Sequence, residues 1–336
     1  MAANRGTVLV TGGAGYVGAI LVPKLLAAGY RVRVIDLLLF GDDVLPVDKK
    51  LEVVKGDIRD QALVTREMRG VDAVIHLACI SNARSFELDP ERAKSINFDA
   101  FEPLVRIARQ AGVQRFVYAS TCSAYGTSDA EQVTEDHALL PITDYDRYKG
   151  LCEPVLARYQ SPDFTTVTIR SAAVCGYSPR QRLDLSVNSL TNLAVNEGTI
   201  TVSGGRQTRP DIHIDDLCDL YAMLLDLPAE LIAGETFNAG YRNASIAEIA
   251  EVVRKVVSSE VPGREQIDVV TLPSDDIGCC RISSEKIARK LGFKPKRGVE
   301  DAVRDLVRAF AQGLLPSSLE DPKYFNIRTL QELKAR

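Results

Sequence analysis

Thr7-Val8-Leu9-Val10-Thr11-Gly12-Gly13-Ala14-Gly15-Tyr16-Val17-Gly18 runs from an apolar segment through a glycine-rich turn into residues 16–28, which have helical spacing. Strand, turn and helix in that order are the setting in which such a string can hold a dinucleotide. Gly12 permits the tight turn, and Gly15 lets the Gly15-Tyr16-Val17 backbone approach a pyrophosphate at the positive end of the helix. Gly18 allows the helix to pack closely on the strand. Asp36 ends the next β-rich run, eighteen residues after Gly18, where a carboxylate accepts from both hydroxyls of an adenosine ribose and repels a 2′-phosphate. Leu37 follows it rather than a cation, so the expected cofactor is NAD, not NADP.

Outward from this stretch, short β-rich runs alternate with longer amphipathic ones: 7–11, 31–36, 51–55, 73–77 and 115–119, with later runs at 165–169 and 236–239. The alternation predicts an α/β fold, a Rossmann-type doubly wound parallel sheet. Segments 177–182, 204–210 and 272–278 are rich in Gly, Pro, Ser and Arg and are expected to be substrate-facing loops of a smaller, discontinuous C-terminal domain. The expected division is residues 1–170 with 212–240 for the cofactor, and 171–211 with 241–336 for the substrate. Pro23, Pro103 and Pro154 fall within stretches of helical pattern, where each removes a backbone hydrogen bond unless it lies in a first turn.

The segment Tyr145-Asp146-Arg147-Tyr148-Lys149 places a phenol and an ammonium four residues apart, on one face of a helix. The lysine charge, with that of the nicotinamide, is expected to lower the tyrosine pKa from its usual value of about 10 so that Tyr145 serves as general base. With Ser120-Thr121-Cys122-Ser123-Ala124-Tyr125-Gly126 between the two motifs, the chain resembles the extended short-chain dehydrogenase/reductase family, and within it the nucleotide-sugar epimerases and dehydratases.

The resemblance implies that Thr121 orients the reacting sugar oxygen, that Lys149 and Tyr145 also contact the cofactor, and that Asp57-Ile58 lies at the adenine edge. Leu77-Ala78-Cys79 stands where similar proteins pass the nicotinamide side. Asn97 matches a family position and has an equally good reading as a residue that bends its helix. Ser81 and Asn82, just past a strand end, are candidate sugar contacts, as are Cys122 and Ser123 beside Thr121. Arg209 leads a segment that in the family contacts the nucleotide diphosphate, and Arg281 is a candidate second clamp. Asn188 and Asn192 are candidates to replace the Asn missing before Cys175-Gly176-Tyr177-Ser178-Pro179. Arg180 and Arg182 are read as solvated loop arginines or as further clamps, Tyr125 as pocket wall or core, and His213 as structural.

In the family this triad begins by moving hydride from a sugar carbon to NAD, giving a keto sugar and NADH. Similar 4,6-dehydratases carry Asp-Glu after the catalytic Thr, and here Cys122 and Ser123 occupy those positions, which disfavours dehydration and uronic acid decarboxylation. A 3,5-epimerase needs a further acid/base pair, for which Cys122 and Cys175 are better explained as packing residues. The expected activity is therefore epimerisation of a nucleoside-diphosphate sugar, at C4. The alternatives are a nucleotide-sugar dehydrogenase, a 4,6-dehydratase and a non-catalytic NAD-sensing protein. The resemblance also implies a homodimer built on helices 92–111 and 145–159.

The chain has 336 residues, 46% of them hydrophobic and 26% charged, and a formal net charge of -4, so no global field draws it to nucleic acid or anionic lipid. It contains no apolar run of about 18 residues and no signal-peptide pattern, which makes the cytoplasm the expected location and a membrane partner unexpected. Its seven cysteines, including the vicinal Cys279-Cys280, show no metal-type spacing, and no metal is expected.

Overall fold

The computed structural model describes residues 5–335 apart from 42, 129, 275–277 and 279, so Cys279 lies outside the described residues. In chain order the strands are β1 (Thr7–Thr11), β2 (Arg31–Asp36), β3 (Leu51–Lys55), β4 (Ala73–His76), β5 (Arg115–Thr121), β6 (Thr165–Ser171), β7 (Ala173–Cys175), β8 (Thr199–Ser203), β9 (Thr208–His213), β10 (Glu235–Ala239), β11 (Arg242–Ser245) and β12 (Asp268–Leu272). Seven of them form one parallel sheet in the order β10-β6-β5-β4-β1-β2-β3.

Strands buried on both faces read as nearly unbroken apolar runs, and β4 (Ala73-Val74-Ile75-His76) is buried at every residue. Successive side chains alternate between faces: Val8 and Val10 join one apolar cluster while Leu9 joins the other, across the sheet. Truncating such a residue, Leu9→Ala for instance, costs about 2–5 kcal/mol. The strand order turns back between β1 and β4, and ligands of open α/β sheets bind beyond the carboxyl ends of strands at such a reversal. There Thr11 stands beside His76, and farther along the same edge Thr121 stands beside Ser171.

The helices hold despite their prolines. Pro23 lies inside Gly18–Ala27, whose Leu21, Val22, Leu25 and Leu26 are buried against the sheet, and Pro154 lies inside Asp144–Ala157. Pro103 falls in the first turn of Phe101–Gln110, where no intrahelical bond is lost. The remaining strands make two small sheets, β11-β9-β7 and β12-β8, beside a third apolar cluster. The loops expected at 204–210 and 272–278 are thus partly strand, since β9 begins at Thr208 and β12 ends at Leu272.

Candidate active site

The glycine-rich turn is shaped by what touches it. Leu77 donates its N–H to the Thr11 carbonyl at 3.0 Å, and the buried Thr11 hydroxyl meets His76 Nδ1 at 2.7 Å. These contacts bring the chain after β4 against Gly12, where a Cβ would stand 2.7 Å from the Ala78 nitrogen and where φ is +73°. A Cβ at Gly18 would collide with the Gly13 backbone, so that glycine admits the turn beneath its own helix rather than the strand. Asp36 is held at the end of β2 by the N–H groups of Ala14 (3.0 Å) and Leu38 (2.8 Å). Burial raises its pKa and those two amides work against the rise.

One cavity runs from this turn across the sheet edge. Gly12, Gly15, Tyr16, Val17, Gly18, Asp36, Asp57 and Ile58 line it, as do Leu77, Ala78 and Cys79. Ser81, Asn82, Thr121, Cys122, Ser123, Tyr145, Lys149 and Arg209 line the rest. The Asp57 carboxylate is paired with Arg59, which lowers its pKa.

Thr121 ends β5 in an extended conformation and caps the short helical turn Cys122–Tyr125, its Oγ1 accepting the Ser123 N–H at 3.2 Å. Tyr145 and Lys149 lie one turn apart on Asp144–Ala157. Lys149 is 5% exposed, its ammonium donates to the Ala119 carbonyl, and it stands 4.5 Å from the centre of the Tyr118 ring. Burial pushes the Tyr145 phenol well up, Cys79 and Asp146 add to the rise, and the cation acting against it is Arg182.

Arg180 and Arg182, read from sequence partly as solvated, are only 4% and 9% exposed, and both line the cavity. Arg182 pairs with Asp184 through two contacts of 3.0 and 2.9 Å; burial opposes its charge, and Asp184 overrides it. It also donates to the Ser81 hydroxyl at 3.2 Å, while Asn82 reaches the same Asp184 at 3.5 Å. Asn326, at the start of the helix Asn326–Ala335, donates to Ser81 at 2.9 Å and accepts from Arg180. No local sequence signal marked Asn326, because its role depends on a contact across 245 residues.

Several sequence candidates lie elsewhere. Asn188 is fully buried and its amide is spent on the Gly176 N–H, the Tyr16 hydroxyl and the Arg182 carbonyl. Asn192 is bonded to Ser318. Neither amide is offered to a ligand. Asn97 spends both amide atoms on the Ile80 backbone, at 2.8 and 3.0 Å, within the π-helical turn Ser95–Asp99; it shapes the chain beside the cavity instead of lining it. Arg281 is exposed and outside the cavity wall. Tyr125 is core, its hydroxyl shared by Asn238 and Arg170, and Cys175 is buried with its thiol on the Ile212 carbonyl. His213 is structural: Nδ1 accepts the Asp215 N–H and Nε2 meets Asp305 at 3.1 Å.

A family model described as the NAD dependent epimerase/dehydratase family matches residues 8–240. The chain belongs to that family. It is 28% identical over 320 residues to the UDP-glucose 4-epimerase of Lactobacillus helveticus, covering 88% of this chain and 94% of that one. Among solved structures, the dTDP-glucose 4,6-dehydratase of Streptomyces venezuelae with NAD bound is similar at a TM-score of 0.80, with 27% identity over 94% of this chain and 99% of that one. An epimerase of Methanothermobacter thermautotrophicus is similar at a TM-score of 0.81, with 26% identity over 92% of this chain and 93% of that one.

The residues fit the cofactor of an NAD-dependent epimerase/dehydratase. The cradle at Gly12 has no room for a Cβ, and Asp36, anchored on the Ala14 N–H, lines the same cavity with a carboxylate of the kind that accepts from ribose hydroxyls. Among the described residues Arg180 Nε and Nη1 are buried without a hydrogen-bond partner, and burial, then the charge of Arg182, pushes the pKa of this guanidinium down to about 9. Two desolvated donors beside a phosphate-type turn call for an anion. Among the described residues no helix is long and apolar enough to cross a membrane.

Proposed function

We propose that this enzyme epimerises a nucleoside-diphosphate sugar at C4, through a transient 4-keto sugar, with NAD held between the glycine turn, Asp36 and Arg180. The observation that carries the reading is the convergence of Thr121, Tyr145 and Lys149 on one cavity wall next to the cofactor cradle. Bound NAD supplies a site that takes hydride from the sugar and returns it. Tyr145 moves the proton of the reacting hydroxyl, Thr121 holds its oxygen, and Lys149 contacts the nicotinamide ribose. Cys122 and Ser123 stand beside Thr121 where similar 4,6-dehydratases carry Asp-Glu, which disfavours loss of water by that route. Arg209, on the cavity wall, is assigned to the sugar-nucleotide diphosphate. The similar UDP-glucose 4-epimerases support UDP as the nucleotide.

We assign residues 171–211 and 241–336 to sugar-nucleotide binding and the remainder to the cofactor. We also assign a homodimer through the helices Phe101–Gln110 and Asp144–Ala157, the second of which exposes Leu151. Sedimentation of the purified chain tests the dimer. The activity is tested by product mass after incubation with NAD and UDP-, GDP-, dTDP- and CDP-sugars. A changed sugar of unchanged mass supports epimerisation; loss of two hydrogens makes the chain a dehydrogenase, and loss of water a dehydratase.

A further inference from the structure

Asn326 opens the C-terminal helix Asn326–Ala335, is buried, and lines the same cavity as Ser81 and Arg182. Its Oδ1 accepts from the Arg180 guanidinium, a group that can only donate, so the amide has one orientation and its Nδ2 faces Ser81. The Ser81 oxygen then accepts twice, from Asn326 Nδ2 at 2.9 Å and from Arg182 Nη1 at 3.2 Å. Neither partner has a lone pair to return, and both lone pairs of the hydroxyl are filled. Among the described residues nothing accepts the Ser81 proton, which is left for a ligand in the cavity that Ser81 lines. Arg182, held in turn by Asp184 through two contacts, is also the cation that acts on the Tyr145 phenol, so Ser81 belongs to the reacting part of the cavity.

We propose that Asn326 is a positioning residue for sugar recognition: together with Arg182 it fixes Ser81 as a hydrogen-bond donor to an oxygen of the sugar. A free hydroxyl can turn to donate or to accept, whereas one held by two donors has its direction set before the ligand arrives and loses no rotor freedom on binding. The positive charge of Arg182 beside it favours a ligand oxygen that presents a lone pair. Donation to a lone pair leaves the sugar hydroxyl its own proton, so Ser81 does not compete with Tyr145 for the proton that is moved. Asn326→Asp keeps the side-chain shape and the bond to Arg180, but an ionised carboxylate only accepts. Ser81 would turn its proton onto that carboxylate and offer the ligand a lone pair instead. This role rests on the reading of a nucleoside-diphosphate sugar as the substrate.

The test is a cycle of Asn326→Asp, Ser81→Ala and the double variant, assayed as NAD-bound enzyme on the nucleoside-diphosphate sugar that the wild type converts, with the parent nucleoside diphosphate as inhibitor. The readout is the ratio of the sugar-nucleotide KM to the nucleoside-diphosphate Ki, in which any general effect of the added charge or of altered packing cancels. Each single change is expected to raise this ratio about 3- to 10-fold with kcat within about threefold of wild type, and the double variant is expected to match Ser81→Ala. An unchanged ratio in either single variant, or two losses that multiply, overturns the role. Melting of the NAD-bound variants checks that each is folded; if Asn326→Asp is not, Ser81→Ala carries the test alone. A wild type that converts no sugar nucleotide overturns the substrate reading and this role together, whereas an active wild type with unchanged ratios in the variants overturns this role only.

Discussion

The guanidinium carbon of Arg180 lies 3.7 Å from the centre of the Phe40 ring. This contact joins the chain after β7 to the chain after β2 and holds a desolvated cation in the wall of the cavity that the glycine turn also lines. Replacing Arg180 by Gln should weaken NAD binding to the stripped protein by about 10- to 100-fold, the worth of a charge-assisted hydrogen bond or two. The cofactor-free protein should melt no lower than wild type, because the change also removes two buried donors that have no partner. Calorimetric NAD titration and melting with and without NAD read both effects; unchanged NAD affinity would remove Arg180 from the site.

Tyr145→Phe should lower kcat by about 10²–10⁴-fold while NAD stays bound, since the ring that fills the wall is kept and only the proton carrier is lost. Turnover near the wild-type rate would show that the phenol moves no proton in the slow step. Cofactor co-purifying with the variant, measured by absorbance after denaturation, separates lost chemistry from lost binding.

Gly12→Ala and Gly18→Ala place a methyl against backbone that cannot turn aside: Ala78 for the first and Gly13 for the second. Each should cost about 1–3 kcal/mol and reduce NAD binding, and Gly12→Ala carries the further strain of its positive φ. Urea unfolding midpoints check the first effect. A Gly18→Ala protein as stable as wild type would mean that the turn can retreat from the helix.

Asp211, 2% exposed, has no hydrogen-bond partner among the described residues for either carboxylate oxygen, and burial pushes its pKa up to about 7, with Arg242 opposing and Glu300 adding to the rise. Its pKa in the unfolded chain is about 3.9, so between these values the folded protein binds the proton that the unfolded chain releases. The stability this gives is complete below the unfolded pKa and disappears as pH rises through about 7. Asp211→Asn should therefore be neutral in acid and stabilising by about 1–3 kcal/mol above neutrality. A melting-temperature difference between variant and wild type that stays flat across this pH range would contradict it.

The main sheet was legible because its strands are short apolar runs whose composition follows from burial on both faces, and the cofactor turn because glycine is needed where backbone meets backbone. Thr121, Tyr145 and Lys149 could be paired from spacing and resemblance. Arg180 and Arg182 were harder to read, since a charged residue in a Pro- and Gly-rich stretch is ordinarily solvated; here the 37–41 segment and the helix Asn326–Ala335 close over them. Asn188 and Asn97 looked available because an amide in sequence shows nothing of the backbone groups it will satisfy.

The sequence by itself determined the order of the strands along the chain and the glycine cradle, because each depends on local periodicity or on the absence of a side chain, and with the resemblance it singled out Thr121, Tyr145 and Lys149, which line one cavity. Only the tertiary structure decided which polar groups face the cavity and in what state. The unpaired donors of Arg180, the Ser81 hydroxyl between Arg182 and Asn326, and the ammonium of Lys149 on Ala119 all arise from groups distant in sequence, brought into a medium where an unpaired charge or proton is costly.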